Sequence, residues 1–435
     1  MAVTSLKGIL MAGYISRNNF GGNQLLSVSA ATFFFYICYL AVFFLNLPAR
    51  IPGLGVLRPT FLLFFIISML LFFQRDKFSE KLAHPIFKAL GVFIIMIFVT
   101  LPFVTFPGSV LKVNFSTFLK AIVFLYFTAL ILDTEKRLKI ALLVFVVLQV
   151  FRVLEPLYLN LTSGYWGSST YMGEGEFANR LGGAPADIIN PNELGFVIVT
   201  AIPFLHYFLI SRAILVKLFY FLLLAFLLYA LILTMSRGAF LALLVVCWFI
   251  FKESKKKMFL LVFAAVGVVA ALSVMNDIQR DRYLSLFSSE AKQSNTAEGR
   301  INGMIQEFEL GLTRPIFGYG LGTTNEAKFN TFGRSQASHN MYMELLIEVG
   351  IVGMIFFGRF IFAIKRQLNV SILNTNDSYP FYKILFKILN IVFWMFAVYS
   401  INYWGLSQYY WYNLAGFVVA ASLLMRVNEI KGVKA

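Results

Sequence analysis

Charge is scarce in this chain. Of 435 residues only 13% are charged and 59% are hydrophobic. A soluble domain with this composition would lack the polar surface to cover itself, so the chain reads as a membrane protein. Cysteine is nearly absent. Cys38 and Cys247 both fall within apolar runs, which excludes a disulfide framework and a thiolate metal site. Acidic residues are few, 21 against 37 basic ones, and the net charge is +16. The basic residues sit in short clusters between apolar runs, a topology signal and not a nucleic-acid-binding face. An apolar leader is also lacking: residues 1–22 are polar and Gly-rich, so insertion is expected to rely on the first transmembrane helix. What the chain has in abundance is phenylalanine, 49 residues of it, which suits lipid-facing helices.

A span needs roughly 20 mostly apolar residues. On that measure twelve are expected: 27–46, 56–73, 86–106, 115–132, 138–158, 191–210, 214–234, 238–251, 258–275, 341–363, 384–402 and 409–426. The predicted fold class is an all-α polytopic membrane protein, a single integral-membrane domain over 1–435. One set of loops carries Lys7 and Arg17, Arg75 to Lys81, Lys136 to Lys139, Arg212 and Lys217, and Lys252 to Lys257. It continues with Lys365 and Arg366 and ends at Arg426, Lys431 and Lys434. The opposite short loops hold little beyond Arg50, Arg58 and Lys112. Positive residues stay inside, so both termini are expected in the cytoplasm. Two long loops then face outward, 160–190 and 276–340, with short amphipathic helices expected in them.

Several residues at that outer side invite chemistry. Arg237 lies in Thr234-Met235-Ser236-Arg237-Gly238, between two spans. It reads either as an interfacial snorkelling residue or as an anion clamp, since a planar obligate cation suits a pair of phosphate oxygens. Arg180, ahead of Asn190-Pro191-Asn192, reads by itself as a solvated loop charge. Arg300 opens a segment with Ile301, Met304, Ile305 and Phe308 at the spacing of an amphipathic helix lying on the bilayer surface. Gly311 fits the C-cap of that helix, and Arg314 a turn before Pro315. The run Gly318-Tyr319-Gly320-Leu321-Gly322 lacks the flanking strand and helix of a dinucleotide site and reads as a tight outer loop. His339 is expected at the last outer position before a span. His84 and His206 are expected near the inner face, so no multi-histidine metal site is expected. An imidazole there can be a structural group, or can take a proton from a sugar hydroxyl. Glu344 and Glu348 lie one and two turns into the span on one helix face, where carboxylates are costly. They are expected to orient His339, to pair with an arginine, or to bond polar groups within the bundle.

At these residues the chain resembles the superfamily of O-antigen ligases and O-antigen polymerases, which are membrane glycosyltransferases. His339-Asn340, nine residues, Gly350, two residues and Gly353 match the ligase signature without a break. Arg237 with Leu241 resembles the family's Arg-three-residues-Leu element, and Arg300 with Gly311 its Arg-ten-residues-Gly element. A first copy of the latter is absent after Arg180, because the position that would carry its glycine is Pro191 and Gly195 comes too late. The resemblance implies a metal-independent, inverting transfer from an undecaprenyl-diphosphate-linked glycan, with no cofactor, at the periplasmic face of a bacterial inner membrane. It implies His339 as the catalytic base, Arg237, Arg300 and Arg180 as diphosphate ligands, and Asn340, Tyr342, Glu344 and Glu348 in support.

Three functions are weighed. A polymerase joins one lipid-linked repeat to another and is the favoured reading; it would have a chain-length regulator protein as partner. An O-antigen ligase transfers the glycan to the lipid A core. A lipid-linked oligosaccharide flippase would place charges near the bilayer midplane. Here they gather at one face beside long loops, which counts against transport. Membrane lipid is an expected partner in every case, and nucleic acid is not.

Overall fold

The computed structural model describes residues 27–434 apart from 174–175, 188, 285–293 and 404; the side chains of 172–176, 263, 294–300 and 429–434 are also outside the description. Lys7, Arg17 and the polar stretch 1–22 therefore lie outside the described residues.

Each of the twelve expected segments falls on a helix. In chain order these are α1 (Ala30–Phe44), α2 (Pro59–Phe73), α3 (Pro85–Thr100), α4 (Phe115–Ile131), α5 (Glu135–Ser163) and α6 (Pro191–Leu209). There follow α7 (Ile214–Thr234), α8 (Arg237–Glu253) and α9 (Lys257–Val274). The shorter helices α10 (Asp277–Leu284) and α12 (Thr324–Phe332), with α11 (Ser294–Thr313) between them, precede α13 (Met341–Asn374), α14 (Pro380–Tyr399) and α15 (Tyr409–Lys434). Among the described residues nine helical segments are long and apolar enough to cross a membrane; the helices α1, α8 and α15 are not among them.

Local chemistry sets the starts. Pro59, Pro85, Pro191 and Pro380 each occupy the first turn of their helix, where the missing N–H costs nothing and the fixed φ is already helical. Asn190 and Glu193 add a reciprocal capping box to α6.

The interior is built around α15, which packs along α4, and α6, which touches α5, α7, α8 and α14. Between apolar helices in lipid, close van der Waals fit replaces the hydrophobic driving force. Gly416 on α15 shows it: a Cβ there would stand 2.6 Å from the Thr128 Cβ and 3.1 Å from the Phe124 carbonyl of α4. The outward faces are the opposite. Phe61, Phe65, Met69 and Phe72 of α2, and Met258, Val262, Val266 and Val269 of α9, are exposed. Apolar surface on that scale belongs in a bilayer, and the chain is a multi-pass membrane protein.

Three expectations need correction. The first long loop is not purely helical or irregular: β1 (Gly167–Gly173) and β2 (Glu176–Leu181) form an antiparallel hairpin. Its alternation buries Ala178 and Arg180 and exposes Phe177 and Asn179. Gly311 is not a C-cap, because α11 runs on to Thr313. Its bare Cα instead admits Leu346 of α13, whose Cγ would lie 2.6 Å from an added Cβ. The tenth segment is longer than expected and interrupted: α13 reaches Asn374 but breaks at Gly350, with φ 62° and ψ −171°.

Candidate functional site

The turn between α7 and α8 is a strained elbow. Met235 adopts the left-handed conformation, φ 50°, and Ser236 caps α8 by accepting from Ala239 N at 3.3 Å. A helix that ends abruptly leaves its last carbonyls without intrahelical partners. Two buried guanidinium groups satisfy them. Arg180 Nε donates to the Thr234 carbonyl at 2.9 Å, and Arg282 Nε to the Met235 carbonyl at 2.9 Å. Cations at a helix C-terminus also match its dipole. Arg180 Nη2 donates further to Asn192 Oδ1 at 2.9 Å, which ties the hairpin to the start of α6. Gly195 lets α6 approach: a Cβ there would fall 2.6 Å from the Ala239 Cβ and 3.1 Å from the Ser236 Cβ. Arg237 is the first residue of α8, buried at 4% exposure. Three arginines, 180, 237 and 282, thus gather on one short turn.

His339 is held differently, through its neighbours. Ser338 and Asn340 are buried, and His339 between them is exposed. Ser338 Oγ donates to Glu307 Oε2 at 2.8 Å and accepts from Asn340 N at 3.1 Å. Glu307 is itself ion-paired with Lys328. Asn340 Oδ1 caps α13 by accepting from Tyr342 N at 2.9 Å and Met343 N at 3.2 Å. With both flanks fixed, His339 faces a cleft of about 330 Å³, lined also by Asn302, Gln306, Lys328, Arg334 and Asn402. Asn402 connects the cleft to the elbow, since a Cβ at Gly238 would lie 3.0 Å from the Asn402 Cβ.

The buried carboxylates serve backbone. Glu344 Oε2 accepts from Gly405 N at 2.7 Å and Leu406 N at 3.1 Å, and so fixes the loop that carries Asn402. Glu348 accepts from Gly322 N at 2.7 Å and Thr324 Oγ1 at 2.8 Å. Of the roles weighed for the pair, these bonds are to polar groups of the bundle. Tyr342 Oη donates to the Ala397 carbonyl at 2.9 Å, joining α13 to α14.

The glycine run is indeed a tight loop. Gly318, Gly320 and Gly322 all have positive φ, 71°, 124° and 74°. The loop docks on the α13 break as a short ladder: Tyr319 N donates to the Ile347 carbonyl and Gly320 N to the Glu348 carbonyl, both at 2.8 Å, while Ile351 N donates to the Pro315 carbonyl at 2.8 Å. So Gly350, a signature position, is required for backbone to meet backbone. Gly353 faces Met96 of α3, 3.2 Å from an added Cβ to Cε.

Arg300 lies on α11, with its side chain outside the described residues. On the same helix Glu307 and Leu310 are buried, while Ile301, Ile305 and Phe308 are exposed. Two residues escaped the reading of the sequence. Arg282 passes there as one of several charges in a polar stretch. Arg152 stands inside an apolar run, a placement that should itself signal a role. It pairs with Asp187 of the first long loop through two hydrogen bonds, 2.7 and 3.0 Å, both side chains being buried. Among the described residues, no three His, Cys, Asp or Glu side chains come together in a group.

Comparison with known proteins gives one positive finding. No curated protein matches the chain. Residues 222–358 match the family model described as O-Antigen ligase, a stretch that includes the elbow, Arg282, Arg300, His339 and both signature glycines but not Arg180. Over that stretch the chain is similar to the O-antigen ligase family.

Proposed function

We propose that this protein is a glycosyltransferase that moves an undecaprenyl-diphosphate-linked glycan onto an acceptor sugar at the periplasmic face of a bacterial inner membrane, and that it acts as a polysaccharide polymerase. The observation that carries the reading is His339, exposed between two buried, hydrogen-bonded neighbours at a cleft furnished with amide and charged side chains. Such groups suit the hydroxyls of a sugar. His339 accepts the proton of the acceptor hydroxyl as that oxygen forms its bond to the anomeric carbon. The carbon–oxygen bond to the diphosphate breaks in the same displacement, which inverts the anomeric configuration. The leaving group departs as the lipid diphosphate, with its charge held by fixed guanidinium groups and no divalent ion needed. Arg237 and Arg300 are assigned to that clamp. Arg180 is a weaker third ligand, and its hydrogen bonds at the elbow give it a positioning role for Arg237. The description of the matching family favours a second reading, ligation of the glycan to lipid A core.

Deletion of the gene followed by lipopolysaccharide gels separates the two. A core bearing a single repeat indicates a lost polymerase; a bare core with accumulating lipid-linked polymer indicates a lost ligase. His339→Ala, restored in the deletion strain, is expected to lower product about a thousandfold, within the range for a general base, with normal membrane levels. Chelation is expected to have little effect. Near-normal turnover by purified His339→Ala would sink the general-base assignment, and a divalent-ion requirement would sink the arginine clamp.

A further inference from the structure

At the end of the bundle away from His339, α3 and α13 part to leave a groove of about 430 Å³. The two helices run antiparallel: Met96 meets Gly353, while Pro85 and Lys88 share the groove with Arg366 and Val370. Arg359 and Arg366 follow His339 by 20 and 27 residues. At about 1.5 Å per helical residue that is roughly 30 and 40 Å, the full thickness of a bilayer core and beyond. Both arginines also lie past the stretch that matches the family, which ends at 358.

The groove combines two chemistries. Its cations are Lys88, Arg359 and Arg366, all exposed. Its apolar lining, Val92 and Phe362, is exposed as well, on helices that are long and apolar enough to span a membrane. Ala89 and Ala363 keep the space between the helices open. Four cations expected at the same side have carboxylate partners: Arg137 with Asp133, Lys139 with Glu135, Lys383 with Asp377 and Lys387 with Glu253. Among the described residues no salt bridge reaches Lys88, Arg359 or Arg366. Guanidinium groups facing lipid, one above the other with an ammonium across from them, need an anion at headgroup depth with acyl chains below it.

We propose that this groove binds an anionic phospholipid of the inner leaflet, its phosphate between Lys88, Arg359 and Arg366 and its acyl chains along Val92 and Phe362. Three cations around one phosphate give the preference for charge, and the apolar wall gives the preference for lipid over free phosphate. The site is independent of the proposed transfer reaction, because it lies at the far end of α13.

The test is native mass spectrometry of the full chain in nonionic detergent, titrated with phosphatidylglycerol, phosphatidylcholine or inorganic phosphate. Phosphatidylglycerol adducts are expected at about tenfold lower concentration than phosphatidylcholine adducts or less, with no retention of inorganic phosphate. The triple variant Lys88→Gln, Arg359→Gln, Arg366→Gln is expected to lose that preference, and the double variant Arg359→Lys, Arg366→Lys to keep most of it. If the triple variant cannot be purified, Arg366→Gln alone is expected to weaken phosphatidylglycerol binding about threefold or more. Equal retention of the two phospholipids by the unmodified protein, or unchanged preference in the Gln variants, overturns the proposal. Stronger retention of undecaprenyl phosphate than of phosphatidylglycerol at equal concentration also overturns it, since the groove would then hold a lipid of the reaction.

Discussion

His84 sits where protonation and folding oppose each other. It precedes α3 and caps it, with Nδ1 accepting from Ile86 N at 3.3 Å. Burial lowers its pKa from 6.5 to about 4, opposed in part by the Gln367 side chain. Above pH 6.5 the imidazole is neutral in both folded and unfolded chains and contributes no pH dependence. As pH falls from 6.5 toward 4 the unfolded chain takes up a proton that the folded chain refuses, so stability falls through that window. The loss reaches about 3 kcal/mol at pH 4, at 1.36 kcal/mol per pKa unit. His84→Asn keeps an acceptor at the cap and removes the titration. Thermal unfolding between pH 4 and 7 is therefore expected to fall less steeply for the variant; parallel curves would refute the assignment. The same scale explains the elbow. Arg180 and Arg282 look like loop charges in isolation, yet each donates to a carbonyl at the end of α7, and nothing local in the sequence announces that partnership.

At the scale of the element, α13 is the instructive case. Its composition marks a span, and the signature glycines Gly350 and Gly353 mark something besides. Gly350 holds φ 62°, ψ −171°, a region open essentially to glycine alone, and an added Cβ would lie 2.5 Å from the Ile316 carbonyl carbon and 2.7 Å from Phe317 N. Gly350→Ala is expected to cost about 3 kcal/mol or more, from backbone strain together with displacement of the 315–320 loop. Gly358→Ala, on the same helix with nothing within 4 Å of its added Cβ, is expected to change stability by less than about 0.5 kcal/mol. Melting temperatures of the two variants in detergent decide the point, and equal melting would refute a backbone role for Gly350. Helix α11 teaches a related lesson. Its apolar spacing suggested a helix and a helix forms there, but Gly311 serves packing against Leu346 and not termination. A glycine near a helix end has the same one-letter signature in either role.

For the molecule as a whole, the arrangement of charge specifies an orientation that can be measured. With positive loops inside, alkaline phosphatase fused after residue 165 or 335 is expected to be active, and fused after residue 255 inactive. Activity at 255 with silence at 335 would invert the topology and remove His339 from the periplasm. The buried Arg152–Asp187 pair ties the first long loop to α5, so Asp187→Ala is expected to cost about 3–5 kcal/mol by leaving a buried guanidinium without its carboxylate. Unfolding measurements check this against Asp277→Ala, whose exposed partner is Arg280 and whose loss should be barely detectable.

The chain's sequence by itself determined the membrane class, the placement of all twelve expected segments on helices, and the family motif around His339. These follow from local quantities: runs of apolar residues long enough for a bilayer, and residue types at fixed spacing. Tertiary structure alone decided the hairpin that buries Arg180, the pairing of Arg152 with Asp187, the service of Glu344 and Glu348 to distant loops, and the groove between α3 and α13. Each of these joins groups far apart in the chain. Whether a buried charge or a bare glycine finds its partner depends on which helices meet, and short-range patterns do not carry that information.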